Sequence, residues 1–134
     1  IDKLSFFDHE KNKKVMTDVV TLDSFFLENS SLIDKKDIDL IKIDTEGFEL
    51  EVIKGAKNTI ENKRPKYIQL EFNWHQLFKN HSMYEFSKNL SNYELFQILP
   101  FGKKLIKVDP IRPETNIYHL SNFVYIRKDI SIKF

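Results

Sequence analysis

The chain of 134 residues contains no cysteine, which excludes a disulfide framework, a thiol nucleophile and a thiolate metal site. Glycine numbers only 3, and no Gly-x-Gly-x-x-Gly, Walker or Gly-x-Ser-x-Gly pattern occurs, so the familiar phosphate-cradling and nucleophile-elbow motifs are missing. No sign of charge dominates: 21 basic residues face 20 acidic ones, for a net charge of +1. That balance is too even for bulk electrostatic capture of nucleic acid or anionic lipid, so neither is expected as a partner. No apolar run approaches the roughly 18–20 residues of a membrane span, and no signal-peptide pattern opens the chain. The expected location is therefore cytoplasmic. What is present is ordinary globular composition, 41% hydrophobic and 31% charged, expected to form a single domain over residues 1–134. The chain starts at Ile1 rather than Met and reads straight into a strand-like pattern, as an excerpt of something longer would.

Periodicity organises the rest. A strand within Ile1–Lys14, a Lys/Asn-rich turn at Lys11–Lys14 and a second strand at Val15–Thr21 are predicted. A helix starts near Thr21, with Asp23 expected to accept from the exposed amides of its first turn. Ser30–Lys36 reads as a connection. The run Ile38-Asp39-Leu40-Ile41-Lys42-Ile43 suits a parallel strand buried on both faces. After Asp44-Thr45-Glu46-Gly47, the residues Phe48, Val52, Ile53, Ala56 and Ile60 fall on one helical stripe, with Glu49, Glu51, Lys54, Lys57 and Glu61 outside it. Lys63 and Arg64 suit the end of that helix, of about four turns, and Pro65 stops it. Tyr67–Phe72 supplies the next strand, completing a right-handed βαβ unit.

Further on, Ser82-Met83-Tyr84-Glu85 is a capping box opening a helix to about Leu90 that buries Phe86 and Leu90. Tyr93–Leu99 reads as a strand closed by Pro100-Phe101-Gly102, and Asn122–Arg127 as a last strand pairing with it. Asp109–Pro113, with two prolines, is expected to be irregular.

Ligands of open α/β sheets bind outside the carboxyl ends of parallel strands. Asp44 and Glu46 lie at that end of the first strand and Glu71 at that end of the second, with Asn73 and His75 just beyond. Neighbouring strands are about 4.8 Å apart, so one crevice can collect all of them. Carboxylates and a histidine there could bind a metal, orient a hydroxyl substrate or supply a general base. Spacing alone leaves open the plainer alternative, in which Asp44 and Glu46 cap the following helix and Glu71 pairs with a Lys. Gly47, unfavourable at a helix start by up to about 1 kcal/mol relative to Ala, implies either a tight turn or the close approach of another group. Simple helix-start geometry accounts for it equally well. His75 is a natural proton acceptor at neutral pH, although a loop histidine without a partner is usually plain surface. Trp74 with Phe78 reads as packing. His9, His81 and His119 have no ligand-like spacing, so a zinc site is not expected.

Three stretches together resemble the signature of the FkbM-type methyltransferases: Thr21-Leu22-Asp23, Ile38 through Glu49 with its Asp44-Thr45-Glu46-Gly47 core, and Val52-Ile53-Lys54-Gly55-Ala56. Tyr67 through Asn73 and Ser121 through Arg127 also resemble a branch of that family, so the likeness runs from about Val15 onward. The resemblance implies S-adenosylmethionine (SAM) as cofactor and a Rossmann-like class I fold. It also shows what has no counterpart here, namely the glycine-rich donor-binding turn and the acidic residue for the donor ribose. The expected fold is accordingly α/β, the C-terminal half of a Rossmann-like three-layer sandwich. Its mixed sheet has parallel strands at about 38–44 and 67–72 and an antiparallel pair at about 93–99 and 122–127. The resemblance implies an O-methyltransferase region acting on a hydroxylated small molecule or glycan, inactive by itself. Asp44, Glu71 and His75 would be catalytic, Glu46 and Asn73 would bind substrate, and Asp44 would also face the donor. The loop Gly102–Asn116 would cover the acceptor side. No metal is assigned, although a magnesium-dependent enzyme using the same carboxylates and a non-catalytic interaction module are competing readings. The strand edge left by a missing half would favour a homo-oligomer.

Overall fold

In the computed structural model, residues 15–30, 38–62, 65–100 and 104–131 are described. Among them the elements run α1 (Leu22–Glu28), β1 (Leu40–Ile43), α2 (Glu49–Lys54), α3 (Lys57–Asn62), β2 (Tyr67–Phe72), α4 (Trp74–Phe78), α5 (Met83–Asn89), β3 (Tyr93–Ile98), β4 (Leu105–Lys107), a 3₁₀ turn (Pro113–Asn116) and β5 (Ser121–Arg127). The strands form one mixed sheet in the order β1-β2-β5-β3-β4. β1 and β2 are parallel, with Leu40 opposite Tyr67 and Ile43 opposite Leu70. β5 lies antiparallel between β2 and β3. The α/β class, the parallel pair and the antiparallel pair are as the sequence predicts. The expectations for Ile1–Lys14, most of Ser30–Lys36, Lys63, Arg64, Phe101 and Gly102 lie outside the described residues.

Alternation puts Ile43, Ile68, Leu70, Phe72, Leu95, Phe123 and Tyr125 on one face, where they are buried with Leu50, Ile53, Ile60, Phe86 and Leu90 of the helices. Phe72, fully buried, is the centre: its ring meets those of Phe86, Tyr118 and Phe123 at centroid distances of 6.2, 5.1 and 6.1 Å. Tyr125 ties β5 to α5, its hydroxyl lying 2.9 Å from Ser87 Oγ. Burial pushes its phenol well above the ordinary range, only partly offset by the Ser87 contact. The opposite face holds a smaller cluster of Phe96, Val124 and Ile126, to which no helix residue belongs among the described residues. Leu40 is 51% exposed there. Among the described residues the sheet is covered on one face, and β1 is not buried on both faces as expected, because nothing described covers the other side.

Three further expectations are corrected. Val15–Val20 forms no strand and is exposed, since among the described residues no neighbouring strand satisfies its backbone. The single helix after Gly47 is two helices broken at Gly55-Ala56. The break is where α1 docks: Gly55 O accepts from Asp23 N at 3.0 Å, and a side chain at Gly55 would meet Thr21 at 3.3 Å. Thr21, not Asp23, caps α1, accepting from Ser24 N at 3.0 Å. Asp23 instead takes the amides of Asn58 (2.9 Å) and Thr59 (2.7 Å), capping α3 across the fold. α5 begins with the expected capping box of Ser82 and Glu85 and buries Phe86 and Leu90. The expected open loop over 102–116 contains β4 and the 3₁₀ turn among its described residues. Asn116 Oδ1 fastens that stretch to Met83 N at 2.9 Å.

Burial works to raise the Asp23 pKa, but the bonds from Thr59 and Asn58 outweigh it and hold the carboxyl below its ordinary 3.8. Its charged-state contribution is complete above that ordinary value and fades as pH falls through the lower, folded-state value. Asp23→Ala is expected to cost about 1 kcal/mol near neutral pH, as lost caps do. In denaturant titrations, the gap to wild type should narrow below pH 3.8. A gap that widened on acidification would contradict the assignment.

Candidate functional site

β1 and β2 run side by side and end together, and the chain after each turns into a helix. At the end of β1, Glu46 (φ +52) and Gly47 (φ +107) are both left-handed. The first is an uncommon conformation for a residue with a side chain. Beyond β2, Asn73 starts α4, its side chain accepting from His75 N at 2.8 Å while Asn73 N donates to Gln76 Oε1 at 2.7 Å. The two turns are in van der Waals contact: a Cβ at Gly47 would lie 2.9 Å from His75 Cβ. Both conditions under which a glycine is needed, a positive φ and close approach, are met there.

This contact brings the predicted residues together. One carboxylate oxygen from each of Asp44, Glu46 and Glu71 lies within 4.8 Å of the others. Asp44 Oδ2 pairs with Lys42 Nζ at 2.7 Å. That bond, then the charge of Asp44 and more weakly that of Glu71, raises the Lys42 pKa. Glu71 Oε1 accepts from Asn73 Nδ2 at 2.7 Å, and Glu46 Oε2 accepts from the same amide at 3.4 Å. Asn73 is thus a buried bridge between the two acids. His75 Nδ1 is 3.0 Å from Glu46 Oε2, an ion pair only when the ring is protonated, and the two atoms form no hydrogen bond. Nδ1 is buried while the side chain is 29% exposed, so the exposure belongs to the far edge of the ring, Nε2 included. The Trp74 ring lies over His75 at 4.0 Å. Trp74 and Phe78 touch edge-to-face at 5.4 Å, yet are 44% and 61% exposed.

The alternative in which Asp44 and Glu46 cap α2 does not hold: Phe48 occupies the cap position without a side-chain bond. Glu49 takes over the turn instead. Placed on the solvent side of the helix by periodicity, it is 1% exposed. Its Oε1 accepts from Thr45 N (2.9 Å) and Thr45 Oγ1 (3.1 Å), and its Oε2 from Gly47 N (3.0 Å) and Gln76 Nε2. The turn curls back over the first turn of α2, so a residue outside the apolar stripe is enclosed. Glu49 and Gln76 were missed by periodicity; the only signal was a Glu two residues after the glycine.

A hollow of about 770 Å³ lies beside Lys107–Thr115 and is not lined by the carboxylate group. A groove of about 460 Å³ opens against Asp44, between α1 and β1.

Residues 3–99 match the Methyltransferase FkbM domain family. The chain belongs to the FkbM methyltransferase family. The match takes in every residue of the carboxylate cluster and runs from before α1 through β3, while Ser121–Arg127, part of the expected likeness, falls beyond it. No curated protein and no solved structure matches the chain. No helix among the described residues is long and apolar enough to cross a membrane.

Gly47→Ala is expected to destabilise the protein by about 1–3 kcal/mol, because the strained φ and the clash with His75 Cβ coincide. Chemical denaturation measures this. Unchanged stability would mean the two turns are not held against each other.

Proposed function

We propose that this chain is the acceptor-side region of a SAM-dependent O-methyltransferase acting on a hydroxylated glycan or secondary metabolite. The supporting observation is the convergence of Asp44, Glu46 and Glu71 at the ends of two adjacent parallel strands, with His75 against Glu46. The residues present fit one end of the cofactor: a cluster of carboxylates, of which only Asp44 is neutralised by Lys42, suits a sulfonium cation. When bound, SAM supplies an electrophilic methyl group on that sulfur. The chain's own residues do the rest. Glu46 and Glu71, held by Asn73, accept hydrogen bonds from acceptor hydroxyls and orient the reacting oxygen. His75 takes the hydroxyl proton at Nε2, and the charge that the ring gains is offset by Glu46 at Nδ1. Trp74 and Phe78 shield one side of this position from water.

The same three carboxylates support a second reading, a magnesium site serving hydrolysis or glycosyl transfer.

With the natural full-length protein, SAM and a hydroxylated acceptor, His75→Ala should lower kcat by about 10²–10⁴, the usual worth of a general base. Asp44→Ala and Glu71→Ala should lower kcat/KM by at least about tenfold through lost orientation. Unaltered turnover in the two carboxylate variants would discard the assignment. Metal-dependent activity without SAM would select the magnesium reading. Calorimetry showing no heat when SAM is added to the folded protein would make it a non-catalytic module.

A further inference from the structure

We propose that Glu49 and Gln76 are positioning residues that set the distance between the two halves of the site, an inference resting on the methyl-transfer reading above. Neither touches the crevice. Glu49 is 1% and Gln76 0% exposed, yet both are polar and fully engaged. Glu49 receives the backbone of Thr45 and Gly47, the neighbours of Glu46 on either side. It also receives Gln76 Nε2, while Gln76 Oε1 receives the backbone of Asn73. An unbroken series of hydrogen bonds therefore runs from the end of β1, through two buried side chains, to the residue that follows β2.

Apolar side chains of the same volume would fill this space but leave the Thr45, Gly47 and Asn73 amides without these partners. What the polar pair adds is direction. Glu49 offers only acceptors and Gln76 Nε2 only donors, so one relative placement of the turns satisfies all partners. The left-handed Glu46 needs such an external hold, and its side chain is the one that meets both His75 and Asn73. Loss of the clamp would leave each functional group intact and misplace them relative to one another.

The test uses the natural full-length protein. Glu49→Gln turns an amide donor toward existing donors, Gln76→Glu sets a second carboxylate against the first, and the double swap restores a donor facing an acceptor. Each single variant should lower kcat about 10- to 100-fold, as small misplacements do, with KM moving less than about threefold. The double variant should regain at least about tenfold over Gln76→Glu. Exchange of the Thr45 and Gly47 amides should quicken in Glu49→Gln, and the His75 ring nitrogen shifts should move. If Gln76→Glu does not fold, Thr45→Val, which deletes only the hydroxyl bond, should lower kcat about two- to tenfold. Unchanged kcat in folded single variants, no recovery in the double variant, or amide exchange identical to wild type would each overturn the proposal. A wild-type protein inactive toward SAM and acceptor would sink the methyl-transfer reading instead, and the exchange and ring-nitrogen data would still judge the clamp separately.

Discussion

One enclosed carboxylate governs how the ends of the two parallel strands meet. Glu49 gathers the backbone amides of a turn that would otherwise leave them buried and unpaired, at about 1–3 kcal/mol for each unsatisfied group. That gathering stabilises two consecutive left-handed residues, and the left-handed path brings Gly47 against His75. The crevice is thus a consequence of how the turn is satisfied. The acids at its mouth are comparatively free, Glu46 being 66% exposed at its side chain.

Much of the frame was legible from periodicity. Branched apolar runs at Ile38–Ile43 and Tyr67–Phe72 with an amphipathic stretch between them leave little choice but a βαβ unit, and both strands are there in parallel. The capping box at Ser82 marked a helix start correctly. Two of the failures share one physical origin, namely contacts distant in sequence. Asp23 lies beside its own helix but caps another. The same docking splits one helical stripe into α2 and α3 at Gly55, a break that a stripe alone does not reveal. The short β4 falls within a stretch read chiefly as a long loop, with Lys103, Lys104 and Lys107 read only as a solvated strand face, because three residues carry little alternation.

The candidate site divides the same way. Asp44, Glu46, Glu71, Asn73 and His75 were legible because the topology of parallel strands predicts where their ends lie. Their convergence within a few ångströms follows from that rule. Asn73 turned out to be a buried bridge, since its amide sits between two acids that it alone can join. Glu49 and Gln76 were invisible, because enclosure of a polar residue depends on how the turn folds back and leaves no trace in hydropathy.

Tyr125 carries a separate consequence. Its hydroxyl, fully enclosed between β5 and α5, keeps its proton where an exposed phenol would lose it. Lifting the helix from the sheet would remove that protection, so a late component of the phenolate absorbance in alkali, beyond that of the other four tyrosines, becomes an intrinsic gauge of that separation. The protein carries, without any label, its own spectroscopic indicator of whether its two layers are still joined.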